Sequence, residues 1–128
     1  MLINQYTRRL VQLALDEDIG TGDITAGAFE KFSSNAVFNF LAKEDCIICG
    51  TKVVKEVYLL LDPEVSVQFS VQDGQRVKKG SMIGKVMGPA SSILAGERTS
   101  LNFLQRLSGV ATNTSQYVDI LGSSPIKI

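Results

Sequence analysis

Apolar side chains along this chain follow two periods, and the switches between them mark out its elements. Between residues 4 and 17, Tyr6, Leu10, Val11, Leu13, Ala14 and Leu15 recur at helical spacing, and the segment runs into Asp16-Glu17-Asp18 before Gly20 and Gly22 break it. From Ser33 the period becomes two, with Ala36, Phe38, Phe40 and Ala42 on one face and Asn39 and Lys43 on the other, which predicts a half-buried antiparallel strand interrupted at Glu44-Asp45. A short strand follows over residues 46–49. It ends at Gly50, where Thr51 is placed to cap a helix carrying Val53, Val54, Val57, Tyr58, Leu60 and Leu61 inward, stopped by Asp62-Pro63. Residues 64–72 alternate strictly, Val65, Val67, Phe69 and Val71 against Ser66, Gln68, Ser70 and Gln72, and predict a further strand. Asp73-Gly74 turns the chain, Val77 and residues 82–86 read as short strands joined by glycine turns, and Gly88-Pro89 closes the series. A second amphipathic helix then carries Leu94, Leu101, Leu104 and Leu107, with Phe103 beside them, while Glu97, Arg98, Asn102, Gln105 and Arg106 spread over the remainder. At Ser108-Gly109 a kink or restart is expected, with Tyr117, Val118, Ile120 and Leu121 continuing the pattern to Gly122.

Composition narrows what such a chain does. Its 128 residues suffice for one domain, or one domain with a piece of another. Lysine plus arginine equal aspartate plus glutamate at 13 each, so no long-range field favours nucleic acid or an anionic membrane. Apolar runs such as Val57-Tyr58-Leu59-Leu60-Leu61 are too short to span a bilayer, and the expected compartment is cytoplasmic. The absence of histidine removes the commonest general base and transition-metal ligand. Cys46 and Cys49 form a C-x-x-C in an apolar run, without the helix N-terminus that activates a thiol, and read as two small buried strand residues. Asp16, Glu17, Asp18 and Asp23 lack the alternate spacing of a calcium loop, and Asp23 with Thr25 reads as a cap.

One pair carries candidate chemistry. Arg98 precedes Asn102 by one helical turn, so a guanidinium and a carboxamide share a face able to hold an anion. By spacing alone, a solvated helix flank remains the more frequent meaning of such a pair.

Three stretches shift that balance. Gly96-Glu97-Arg98-Thr99-Ser100-Leu101-Asn102 with Leu107-Ser108-Gly109-Val110-Ala111-Thr112, the acidic-glycine run over residues 15–25, and Ala42-Lys43-Glu44-Asp45 with Ile48-Cys49-Gly50 together resemble the quinolinate phosphoribosyltransferases, also called carboxylating nicotinate-nucleotide pyrophosphorylases. The resemblance implies an α+β fold: an α/β-hammerhead, barrel-sandwich-like N-terminal domain over residues 1–108. Residues 109–128 would then be a connecting helix and, at Ile126-Lys127-Ile128, the first strand of a C-terminal α/β barrel of the type II phosphoribosyltransferases, cut after three residues.

It also implies an activity: phosphoribosyl transfer from phosphoribosyl pyrophosphate to quinolinate, giving nicotinate mononucleotide, carbon dioxide and pyrophosphate in NAD biosynthesis, with Mg2+ accompanying the donor. Arg98 aligns with the arginine that grips a quinolinate carboxylate in the neighbouring subunit of a homodimer; Glu97, Asn102, Ser108 and Thr112 align with supporting groups. No catalytic or metal-binding residue falls within residues 1–128, so this polypeptide alone is expected to be inactive. Cys46 stands where the family often has glycine, and Ser100 replaces a common alanine. Two alternatives stay open: a free-standing interaction or regulatory module, and the N-terminal domain of a related family associated with molybdenum transport. The V-x-D-G-x-x-V-x-x-G series from Val71 to Gly80 also resembles lipoyl and biotinyl carrier hairpins, but neither Lys78-Lys79 nor Lys85 has the exposed hairpin-tip setting a carrier lysine needs.

Overall fold

The computed structural model describes residues 3–20 and 34–122; Asp23, Thr25 and residues 126–128 lie outside them. Among the described residues, three helices and five strands follow in the order α1 (Gln5–Ile19), β1 (Asn35–Leu41), β2 (Cys46–Ile47), α2 (Thr51–Leu61), β3 (Ser66–Phe69), β4 (Arg76–Val77), β5 (Met82–Pro89) and α3 (Ala90–Leu121). Every period read from the sequence has its element, in the expected order, and the mixed α+β class holds. Strand β3 is shorter than the alternation predicts. The Ser70 N–H still reaches the Ile83 carbonyl at 2.9 Å, after which the chain turns off towards Gly74.

Strand β5 is the centre of the larger sheet, antiparallel to β1 on one side and to β3 on the other. Gly84 pairs with Phe40 in β1 and with Phe69 in β3, and the two rings stack across it with centroids 5.4 Å apart. A Cβ on Gly84 would sit 2.8 Å from the Phe69 ring, so glycine is what lets the aromatics meet. Lys85 lies inside this central strand, opposite Asn39 and Gln68, and not at a hairpin tip. Strands β2 and β4 form a separate two-stranded ribbon, Cys46 opposite Val77 and Ile47 opposite Arg76.

The N-terminus of α2 corrects one expectation. Gly50, with φ of 107°, occupies the capping position and Thr51 is the first helical residue; the cap is supplied from the Asp73-Gly74 turn, where Asp73 Oδ1 accepts from the N–H groups of Gly50 and Thr51 at 3.1 and 3.0 Å. Leu107 approaches so closely that a Cβ on Gly50 would lie 2.9 Å from its Cδ1, which leaves the capping position to glycine.

Helix α2 lies between two apolar clusters. One face gives Val54 and Tyr58 to the main core with Phe40, Ile48, Ile83, Val86, Ile93 and Leu104, and the other gives Val53 and Val57 to a smaller cluster under α1 with Val11 and Leu15. Arg8 of α1 fastens that second contact, its Nε donating to Oε1 of the buried Glu56 at 2.6 Å. Helix α3 runs unbroken through Ser108-Gly109, where the sequence predicts a kink or restart, and ends at Gly122. No helix among the described residues is long and apolar enough to cross a membrane.

Candidate functional site

Helix α3 gathers the three sequence stretches singled out above. Its most buried positions in the first part are Ile93, Gly96, Thr99, Ser100 and Leu104, so small and hydroxyl side chains, more than the leucines, form the inner stripe. Gly96 is there because α2 is close: a Cβ would meet the Tyr58 ring at 2.7 Å. The Tyr58 hydroxyl donates to the Ile93 carbonyl at 3.1 Å, and burial pushes its pKa above the usual phenol value. Ser100, fully buried 3.5 Å from that hydroxyl, donates to the Glu97 carbonyl at 3.0 Å.

Immediately above this packed base stands Arg98, whose side chain is 82% exposed. The last turn of α1 comes alongside, bringing Asp18, 22% exposed, with Oδ1 3.9 Å from Arg98 Nε. Asp18 Oδ2 accepts a hydrogen bond from the hydroxyl of Thr99, itself only 1% exposed. The acidic-glycine stretch and the Arg98 helix therefore meet in space. No local pattern gives Asp18 a partner, although a carboxylate in a helix's last turn, where the macrodipole disfavours anions, points to one outside the helix.

The third stretch meets α3 lower down. Ser108 accepts from Cys49 N–H at 3.0 Å and donates to the Cys49 carbonyl at 3.2 Å, and Thr112 Oγ1 accepts from Ile47 N–H at 3.0 Å. Arg76 of β4 donates to Ser115 Oγ at 3.0 Å, with Asp119 Oδ2 3.9 Å from the same nitrogen. Burial raises both cysteine pKa values, with Glu44 adding at Cys46 and Asp73 at Cys49, so neither thiol is set up as a nucleophile.

Of the candidate residues, Ser108 and Thr112 pack against the β2 segment and hold its backbone, whereas Asn102 is exposed one turn beyond Arg98. Glu97 is exposed. It makes no ion pair within 4.0 Å of a basic group among the described residues, and only its carbonyl is engaged, because its side chain points to solvent one position before Arg98. Arg98 lines neither of two shallow clefts, of about 260 Å³ between α1 and α2 and about 410 Å³ beside β1 and β5.

The sequence profile described as "Quinolinate phosphoribosyl transferase, N-terminal domain" matches residues 23–108, well over half of the chain. The chain belongs to this family. Quinolinate phosphoribosyltransferase [decarboxylating] 1b of Nicotiana tabacum is 42% identical to it over 111 residues, covering 86% of this chain and 32% of the relative. The probable nicotinate-nucleotide pyrophosphorylase [carboxylating] of Bacillus subtilis is 42% identical over 113 residues, 88% of this chain and 38% of the relative. Among solved structures, the nicotinate-nucleotide pyrophosphorylase from Francisella tularensis superposes with a TM-score of 0.88 at 36% identity, over 96% of this chain and 44% of that one. As a member of the quinolinate phosphoribosyl transferase N-terminal domain family, the chain thus spans about a third of the length of the curated relatives it matches.

Proposed function

We propose that this chain is the N-terminal part of an enzyme that makes nicotinate mononucleotide, carbon dioxide and pyrophosphate from quinolinate and phosphoribosyl pyrophosphate. The enzyme works as a homodimer, and Arg98 serves the neighbouring subunit's site. The observation that carries this reading is an exposed arginine, in a family of this activity, standing on the most tightly packed stretch of its helix.

Chemistry explains the residue type. Quinolinate is a planar dianion with adjacent carboxylates, and a guanidinium presents a permanently charged fork matched to a carboxylate, which a lysine ammonium does not imitate. Arg98 lines neither of the two clefts described above, and in the proposed dimer a substrate gripped there takes its remaining contacts from the neighbouring subunit. Mg2+ would arrive with phosphoribosyl pyrophosphate; the described residues offer no group of three acidic or thiol side chains to hold it.

The test uses a chimera in which this chain replaces the matching N-terminal third of the Bacillus subtilis relative. Arg98→Lys is expected to raise the KM for quinolinate roughly tenfold to a hundredfold while leaving that for phosphoribosyl pyrophosphate nearly unchanged, because one charge-assisted bidentate contact is lost. Arg98→Ala should be worse. An unchanged quinolinate KM in Arg98→Lys would make Arg98 an ordinary surface charge.

A further inference from the structure

We infer that Asp18 is a positioning residue for Arg98, holding the guanidinium by its Nε side so that the terminal Nη1/Nη2 edge is left open to a substrate carboxylate. The inference rests on the proposed role of Arg98, and it is drawn from the difference between the two partners. Asp18 is fixed: its Oδ2 is held by the buried Thr99 hydroxyl, and α1 is anchored beneath it by Val11, Leu15 and the Arg8–Glu56 ion pair. Arg98 is 82% exposed and has no other charged partner within 4.0 Å among the described residues.

At 3.9 Å, Asp18 Oδ1 is too far from Nε for a hydrogen bond, so the carboxylate orients the guanidinium without consuming its donors. The position is otherwise unfavourable, since a carboxylate in the last turn of α1 faces the negative end of the helix dipole. Its contacts with Thr99 and Arg98 across the gap to α3 offset that cost. Two effects oppose each other when a dianionic ligand arrives. Asp18 repels it, but through solvent that screens exposed charges, whereas a freely rotating arginine must be ordered at every binding event. Positioning requires ordering to be the larger effect, which sets the sign of the prediction.

Two measurements test it. In this chain, the heteronuclear NOE of the Arg98 Nε–H group should exceed that of Arg106, an exposed arginine on the same helix, and should fall to the Arg106 value in Asp18→Asn and in Thr99→Val; Asp18→Glu should retain most of the difference. In the chimera, Asp18→Asn and Thr99→Val should raise the KM for quinolinate about threefold to tenfold, with kcat and the KM for phosphoribosyl pyrophosphate unchanged. A merely structural role would instead shift all three constants, or the melting temperature alone. If Arg98→Lys raises the quinolinate KM while both Asp18→Asn and Thr99→Val leave it and the Arg98 NOE at wild-type values, positioning is refuted and the role of Arg98 survives. A lower KM in Asp18→Asn would also overturn it, because repulsion would then dominate. If Arg98→Lys has no effect on KM, the substrate reading fails, and the NOE still decides whether Asp18 orients the side chain. Should Asp18→Asn not fold, Thr99→Val carries both measurements.

Discussion

Residues 90–107 and residues 108–121 share the continuous backbone of α3, yet the domain holds the two halves by different means. The first half is packed: Ile93, Gly96, Thr99, Ser100 and Leu104 face α1, α2 and the sheet. The second half is stapled, with Thr112 and Ser115 hydrogen-bonded to the β2–β4 ribbon and Ser108 to Cys49 just after β2. Its apolar side chains look the other way, Val110, Tyr117, Val118 and Ile120 each being more than half exposed. Apolar burial falls off sharply with lost volume, whereas a hydrogen-bonded hydroxyl contributes a modest net amount but is costly to leave half-made. The packed half gives Arg98 a firm backbone base, and the stapled half leaves apolar side chains exposed among the described residues.

The largest effect should come from breaking the packed half. Tyr58→Ala removes the ring against Gly96 and the hydroxyl bonded to Ile93, and is expected to cost about 3–5 kcal/mol in urea unfolding. A loss below about 1 kcal/mol would mean the helices close the gap and that Gly96 was not selected by contact. Next, Ser108→Ala strips the partner from the Cys49 N–H and should cost about 1–3 kcal/mol. The sharper readout is hydrogen exchange: amides after residue 108 should lose protection while those of residues 90–107 keep theirs. Uniform loss would contradict the division of the helix. The smallest effect concerns the uncovered face. Light scattering over a concentration series should show self-association of the chain that Val118→Glu weakens, since this face leaves apolar surface in water. A monomer at every concentration would mean the face is tolerated as it stands.

This division is also where legibility in the sequence stops. Strand and helix periods were readable because each buries one face, and the order of elements followed from them. Contacts between elements far apart in the chain were not. Asp73 caps α2 from 22 residues away, a pairing no local pattern contains, while Thr51 carried the right residue type at the wrong position. Ser108-Gly109 read as a break because serine and glycine weaken a helix locally; tertiary bonds from Ser108 to Cys49 offset that weakness. Arg98 stood out by type, spacing and resemblance together, but its neighbour Asp18 did not, because 80 residues separate them and only the fold brings α1 alongside.

The claim at the centre of this account, that Arg98 acts across a subunit interface, is tested most directly by mixing two inactive chimeras, one carrying Arg98→Ala and the other an intact Arg98 with a disabled catalytic pocket. Once subunits exchange, each heterodimer regains one site built from an intact pocket and an intact arginine. Activity should return to about a quarter of the wild-type level for equal amounts of the two, as random pairing into dimers requires. If subunit exchange is demonstrated and the mixture stays inactive, Arg98 does not serve the neighbouring site.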